Sequence, residues 1–297
     1  TGTNTLTFNY TVAAGHTSTD LDYVATSSLV CPAPSPGTPV YEDTSEEARG
    51  VTVVGNYAYV ADGDSGLAII NISDPTNPGT PVYEDTTGLA TGITVVGNYA
   101  YIADRSSGLA IIDVSDPTNP GTPVYKDTSG QAFDVTVVGN YAYVADLQSD
   151  LAIIDISDPT NPGNPVYKDT SGFAYGVTVV GNYAYLAIED SGLAIIDVSD
   201  PTSPGNPVYM NTTNGSARDV TVAGNYAYVV DYSYGGGLAI IDITDKANPG
   251  SPVYMDTSGA AKGVTVVGNY AYVADQQSGL AIIDISDPTN PGNPVYK

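Results

Sequence analysis

Six near-copies of one phrase, VTVVGNYAYVAD in its commonest form, run through the chain. They are spaced 42, 42, 42, 43 and 44 residues apart and begin at Val51, Ile93, Val135, Val177, Val220 and Val264. Each unit contains four short apolar segments in the same order, VTVV, YAYVAD, LAIIDIS and PVYxDT. A unit of four short strands repeated about every 40–45 residues is typical of a β-propeller blade. The sequence therefore predicts an all-β fold, a six-bladed β-propeller with an N-terminal β-strand arm.

Turn residues mark the strand ends inside each unit. Gly55-Asn56 and its equivalents separate two alternating apolar runs, which is the signal of a two-residue hairpin. The SDPTNPG segments supply Asx and proline turns before the fourth strand. Proline at the start of that strand gives up a backbone donor, so PVY is expected at the outer rim of the blade.

Composition limits the partners and the chemistry. Thirty-three acidic against eight basic residues give a net charge of −25, which would repel nucleic acids and anionic membranes. No apolar run is long enough for a transmembrane helix, so we expect no membrane insertion. With His16 and Cys31 the only residues of their kinds, nucleophile and base pairs have few candidates, and we predict no enzyme and no cofactor. Asp62 and Asp64, in DGDSG, are the weak candidates for a Ca²⁺ site.

The third segment carries a family resemblance. LAIIDISDPTNPGNPVY resembles the repeat of the LVIVD-repeat family, and Asn71 replaces the final Asp in the first copy. The other copies of LAIID span Leu109–Asp113, Leu151–Asp155, Leu193–Asp197, Leu238–Asp242 and Leu280–Asp284. The resemblance implies a secreted or cell-surface propeller of bacteria or archaea, and it brings no established catalytic residues.

The N-terminal segment differs from the repeats. It resembles the closing strands of the immunoglobulin-like repeats of large bacterial surface proteins, which carry a similar NTLTF…YTV…DLDY run. We predict an immunoglobulin-like strand arm over residues 1–30, a Pro-rich linker over 31–38 and the propeller over 39–297. The apolar positions of the arm are Leu6, Phe8, Tyr10, Val12 and Tyr23. Two strands bury too little surface to be stable alone, so the arm needs a partner surface.

The rim strands are one too many for the ring. PVY occurs seven times, against six copies of every other strand. Either Val40-Tyr41 completes the last blade and Val295-Tyr296 is surplus, or the reverse. A spare strand and an incomplete arm both predict strand addition to another molecule. We therefore predict an extracellular structural protein, a subunit of a cell-surface filament or array that assembles head-to-tail with itself. The other interpretation is that the arm packs on its own propeller.

The six units differ from one another mainly in two places, the loop after the second strand and the residue two before the first strand. Both are expected on one face of the propeller. The second place is occupied in turn by Arg49, Thr91, Phe133, Tyr175, Arg218 and Lys262. This mixture suits an adhesin or a carbohydrate- or peptide-binding propeller, and the simpler explanation is drift at loop positions that no turn constrains. A sialidase-type site would need a cluster of arginines, and the chain has only Arg49, Arg105 and Arg218.

Overall fold

The computed structural model describes residues 40–212, 216–233 and 236–296. These residues form twenty-four strands in six antiparallel four-stranded sheets, with one short 3₁₀ turn at Gln276–Ser278 as the helical element among them. The predicted all-β six-bladed propeller is confirmed. The immunoglobulin-like arm and its residues Leu6, Phe8, Tyr10, Val12 and Tyr23 lie outside the described residues.

Each blade takes four consecutive strands. Blade 1 comprises β1 (Gly50–Val54), β2 (Tyr57–Ala61), β3 (Leu67–Asn71) and β4 (Val82–Glu84). Blade 2 comprises β5 (Gly92–Val96), β6 (Tyr99–Ala103), β7 (Leu109–Asp113) and β8 (Val124–Lys126). Blade 3 comprises β9 (Asp134–Val138), β10 (Tyr141–Ala145), β11 (Leu151–Asp155) and β12 (Val166–Lys168).

The second half of the ring repeats this plan. Blade 4 comprises β13 (Ala174–Val180), β14 (Tyr183–Ile188), β15 (Gly192–Asp197) and β16 (Val208–Met210). Blade 5 comprises β17 (Ala217–Ala223), β18 (Tyr226–Asp231), β19 (Gly237–Asp242) and β20 (Val253–Asp256). Blade 6 comprises β21 (Gly263–Val267), β22 (Tyr270–Ala274), β23 (Leu280–Asp284) and β24 (Val295–Tyr296).

The order within each sheet places the first strand at the axis and the fourth at the rim. Neighbouring first strands lie against one another around the ring, as β1 does on β5 and β5 on β9. The first two strands join through the predicted hairpin, in which Gly55 adopts a positive φ of 59° and Val54 pairs with Tyr57. The fourth strand pairs only with the third and forms the sheet edge, where its proline needs no partner.

The apolar core lies between the sheets. At the seam of blades 1 and 2, Tyr59 and Leu67 of one blade meet Ile93 and Ile102 of the next, and all four are buried. Alternation along the strands sends large side chains to one face and small or branched ones to the other, so that neighbouring blades interlock.

At most seams between blades, a buried aspartate accepts hydrogen bonds from the loop that follows the rim strand of the preceding blade. We call this contact the seam latch. The hydroxyl of Thr86, just after β4, donates to Asp104 at the end of β6 (2.8 Å), and the amide of Gly88 donates to the same carboxylate (2.9 Å). In blade 4 Ile188 takes the place of this aspartate, and the amide of Thr170 bonds to Asp150 instead (2.8 Å). The latch uses an acceptor that water cannot reach, which makes its loss costly.

The two candidate closing strands have different outcomes. Val295 and Tyr296 form β24, which pairs with β23 and completes blade 6. Val40 and Tyr41 belong to no strand and are 52% and 85% exposed. The surplus segment is therefore the N-terminal one.

Candidate functional site

One cavity of about 900 Å³ opens at the axis of the propeller. Its floor is formed where the first strands begin, at Gly92, Asp134, Gly176 and Asp219 among other residues. The position two residues before the VTVV segment projects into it, so each blade contributes one side chain to the rim. We call this rim the channel mouth: Arg49, Thr91, Arg105, Phe133, Tyr175, Arg218, Tyr232 and Lys262.

Cations and aromatic rings contact one another in a continuous row along more than half of the channel mouth. The guanidinium carbon of Arg105 lies 4.1 Å from the centre of the Phe133 ring, and Phe133 meets Tyr175 edge to face at 4.9 Å. Arg218 stacks on Tyr175 at 3.7 Å and lies 5.3 Å from the ring of Tyr232. The amine of Lys262 lies 5.8 Å from the same Tyr232 ring. Each such contact contributes about 0.5–1 kcal/mol at an exposed site, and together they orient the cations.

The positive charge of the channel mouth is only partly neutralised. Arg49 pairs with Glu47 (2.7 Å), and Arg218 pairs with Glu189 (3.1 Å). Over the described ranges no acidic side chain lies within ion-pair distance of Arg105 or Lys262. All three arginines of a chain with eight basic residues line this one cavity. The mouth is therefore a cationic patch on a strongly acidic protein.

Arg105 is held in a costly position. Its backbone has φ of +41°, in the left-handed region, where the equivalent residue of blade 1 is Gly63 with φ of +55°. Its Nε is buried and has no hydrogen-bond partner in the described structure. Burial lowers the pKa of the Arg105 guanidinium from its usual value, and the nearby charge of Arg49 lowers it further. The positive φ belongs to this turn, because Leu147 and Gln276 at the equivalent positions have φ of 29° and 28°. Arg105 differs from them in lining the cavity with a buried Nε that has no hydrogen-bond partner in the described structure.

Two aspartates beneath the mouth tie first strands together. Asp134 accepts the amide of Val135 (2.8 Å) and, across the seam, the amide of Val177 in blade 4 (2.9 Å). Asp219 bonds in the same way to Val220 and to Val264 of blade 6, both at 2.8 Å. Desolvation raises the pKa of Asp134 to about 7, with a further contribution from the charge of Asp219, and burial also raises the pKa of Asp219.

The structure brings the six variable-face candidates to one place, since Arg49, Thr91, Phe133, Tyr175, Arg218 and Lys262 all line the cavity. Thr91 is committed to the fold, because its hydroxyl donates to the carbonyl oxygen of Ala103 (3.0 Å). The cavity is also lined by four residues that are not among the candidates predicted from the sequence: Arg105, Asp134, Asp219 and Tyr232. The signal for the aspartates is the residue before each VTVV segment, which is glycine in four units and aspartate in two.

The two predicted calcium ligands, Asp62 and Asp64, differ in their surroundings. Asp62 is fully buried, and its carboxylate accepts the hydroxyl of Thr44 (2.6 Å) and the amide of Glu46 (3.2 Å). Asp64 is exposed. Among the residues with assigned positions, no group of three or more His, Cys, Asp and Glu side chains converges as a metal site would require. A Ca²⁺ site there stays a prediction.

The architecture defines the class of this protein as a β-propeller. The LVIVD-repeat family model matches residues 46–81, 87–124, 129–165, 171–212, 214–257 and 258–293. The chain belongs to the LVIVD-repeat family, because these six matches cover well over half of it. No curated protein matches the chain.

Solved structures share the fold. The periplasmic gluconolactonase PpgL of Pseudomonas aeruginosa is 12% identical, with a TM-score of 0.74 over 87% of each chain. A putative 6-phosphogluconolactonase of Bacteroides fragilis is 14% identical, with a TM-score of 0.71 over 86% of this chain and 84% of that one. The Swd1 propeller domain of Myceliophteria thermophila is 12% identical, with a TM-score of 0.65 over 85% and 86%. At these identities the likeness shows the fold alone.

The described part of the chain contains no helix with the length and hydropathy needed to cross a bilayer.

Proposed function

We propose that this protein is an extracellular binding propeller whose channel mouth takes a carboxylate-bearing ligand such as an acidic glycan. The observation that carries the proposal is the gathering of all three arginines and Lys262 around one cavity. No acidic side chain of the described ranges lies within ion-pair distance of Arg105 or Lys262. A planar guanidinium donates two parallel hydrogen bonds to a carboxylate, which favours this anion over a neutral ligand. The aromatic rings are already covered by Arg105 and Arg218, so they present the cations to the ligand.

Binding suits the cavity better than catalysis. Three acidic residues line the cavity. Glu47 pairs with Arg49. Asp134 and Asp219 each accept two backbone amides. A carboxylate that is fixed in this way holds the blades together and is poorly placed to take a proton from a substrate. The polar side chains of the channel mouth are cations, phenols and the hydroxyl of Thr91, which suit recognition.

Isothermal titration calorimetry with trigalacturonate and with the uncharged galactotriose tests the proposal. We expect trigalacturonate to bind, with an affinity that falls as salt is added, and galactotriose not to bind. Arg218→Gln should weaken binding at least tenfold. The matched control is Lys246→Gln, because Lys246 is a cation that stacks on Tyr183 (6.0 Å) and does not line the cavity. Equal binding of the two sugars, or an Arg218→Gln variant that binds like the unchanged protein, would contradict the proposal.

Head-to-tail assembly into a surface filament or array, through the N-terminal arm, is the second candidate. The observation that favours it is the exposure of Val40 and Tyr41, which have the sequence of a rim strand and pair with no other strand. Unpaired strands of this kind add readily to a sheet edge of another molecule. Electron microscopy and light scattering of the full chain and of a variant without residues 1–30 test it. Filaments that persist at full length in the truncated variant would refute a role of the arm.

A further inference from the structure

Five of the seams between blades are built alike. In each, the forward face of one blade supplies a tyrosine, a leucine, an isoleucine and an alanine, which is Val230 in blade 5, and the backward face of the next supplies small and branched residues. At the first seam the forward residues are Tyr59, Ala61, Leu67 and Ile69, and the backward residues include Ala90, Ile93, Ala100 and Ile102. These five seams define what each blade face normally contacts.

Among the residues that the structure describes, the backward face of blade 1 has no such neighbour. Val51 is 65% exposed, whereas its five equivalents, Ile93, Val135, Val177, Val220 and Val264, are between 3% and 9% exposed. Ala48 is exposed, and all its equivalents are buried. The cluster formed by Val60, Ala68 and Ile70 contains residues of blade 1 alone. An apolar face built for a seam is therefore open.

The forward face of blade 6 is open as well. Tyr272 and Leu280 are half-buried, although the same positions are almost fully buried in every other blade. An added Cβ at Gly50 would lie 2.6 Å from the carbonyl oxygen of Thr91 in the next blade. At Gly263 the nearest atoms would be those of Asp219 and Ala274, at 3.7 and 3.8 Å, and none would belong to blade 1. The axial cavity accordingly runs out between the two faces, past Tyr272 and Leu280.

The N-terminal segment already holds the place of one strand of a missing blade. The hydroxyl of Thr44 donates to Asp62 (2.6 Å), and the amide of Ser45 donates to the hydroxyl of Tyr83 (3.0 Å). At three of the other seams the residues that follow a rim strand make both contacts. Thr86 bonds to Asp104 and Thr87 to Tyr125, across the same sequence separations of 18 and 38 residues. Residues 40–45 are thus docked as the end of a rim strand, and the described part of the chain contains no three strands inside it.

We propose that one further LVIVD repeat fills the opening between blades 6 and 1. Its first three strands would follow β24 along the chain, just as the first strand of each blade follows the rim strand of the blade before it. Its third strand would pair with Val40-Tyr41. A repeat is the occupant that matches both faces, because the forward face of blade 6 and the backward face of blade 1 accept repeat faces at the other five seams. Thr44 already forms the seam latch with Asp62, so residues 40–45 provide the rim strand of this further blade.

This inference is independent of the proposed ligand and assigns Val40 and Tyr41 to a blade instead of to a neighbouring molecule. It also predicts that one blade separates Arg49 from Lys262, the two cations that flank the opening, in the completed ring. The occupied ring would have seven blades, within the usual range of about four to eight for propellers.

The test appends a second copy of residues 127–163, which contain β9, β10 and β11, after Lys297. Amide hydrogen exchange, read by mass spectrometry, should slow at least a hundredfold at Val40 and Tyr41 and clearly at β1. The matched control carries Val135→Asp and Val144→Asp in the appended copy only, since these two side chains would face blade 6. It should leave the exchange at Val40 and Tyr41 fast. Unchanged protection of β14 in both variants shows that the ring has folded.

Three results would overturn the proposal. Val40 and Tyr41 could remain fast in a folded protein that carries the unaltered repeat. They could already be slow in the 297-residue chain and become fast when residues 1–30 are removed, which would make the arm the occupant. They could slow with rising protein concentration, which would make a second copy the occupant.

Discussion

Removing one hydroxyl from a seam latch should destabilise the ring by an amount that the structure fixes in sign and scale. In Thr86→Val the side chain keeps its shape, but Asp104 loses the donor at 2.8 Å and keeps the amide of Gly88. Both partners are buried. A hydrogen bond to a charged group contributes about 1.5–3 kcal/mol, so the free energy of unfolding should fall by about 2 kcal/mol.

The same substitution has a built-in control at blade 5. Thr212 occupies the equivalent position, yet its buried hydroxyl has no partner within the described structure. The expected acceptor, Asp231, instead receives the backbone amide of Ser233 (2.9 Å). Thr212→Val should therefore leave stability unchanged or raise it by about 1 kcal/mol, because an unsatisfied buried hydroxyl is costly.

Urea unfolding followed by circular dichroism measures both variants. The midpoint should fall for Thr86→Val and hold or rise for Thr212→Val, with equal slopes. Burial raises the pKa of Asp104, and the hydrogen bonds from Thr86 and Gly88 lower it. Losing Thr86 raises this pKa further, so the stability deficit of Thr86→Val should shrink as the pH falls and the carboxylate takes up its proton. Equal losses for the two variants would refute the latch.

Three further predictions follow from other parts of the ring. Arg218→Gln should lose at least tenfold in trigalacturonate affinity while Lys246→Gln loses none, as measured by calorimetry. The raised pKa of Asp134, about 7, means that its folded form prefers the proton, so this group costs stability as pH rises from about 4 to 7. Asp134→Asn should remove that cost, and the stability of the variant relative to the unchanged protein should increase across this window in urea titrations. Val51→Thr should change the thermal midpoint by less than one degree, whereas Val135→Thr, its buried equivalent, should lower it by several degrees, corresponding to about 1–2 kcal/mol.

The repeated strands and turns could be predicted from the sequence because local rules determine them. Alternation of apolar residues with period two and Gly-Asn hairpins occur in every unit, and the first and second strands pair accordingly. The count of seven rim strands likewise anticipates that one terminal segment is surplus, although only the structure shows that it is Val40-Tyr41.

The position of the candidate site could be predicted from the sequence, but not all the residues that form it. Positions that vary among near-identical units point to the mouth, because they escape the demands of blade geometry. The role of Arg105 depends on a left-handed backbone at a position where blade 1 has Gly63. The sequence of the loop does not show that this residue adopts that conformation and lines the cavity. The carboxylates of Asp134 and Asp219 act across seams, so their partners are known only once the blades are assembled.

The open seam could not be predicted at all. Val51 lies in the same phrase as its five buried equivalents, and its exposure depends on what stands beside blade 1. The repeats predict the strands of each blade, but they do not show which segment packs against the first and last blades.

The arginine side chains offer the most direct measurement of the proposed function. Arg49, Arg105 and Arg218 are the only arginines of the chain, and all line the cavity, so every arginine Nε–Hε signal in a nitrogen–proton correlation spectrum reports on the channel mouth. Trigalacturonate should shift all three signals in a saturable way, and galactotriose at the same concentration should shift none. Arginine signals that stay in place while trigalacturonate is raised to millimolar concentration would contradict the account.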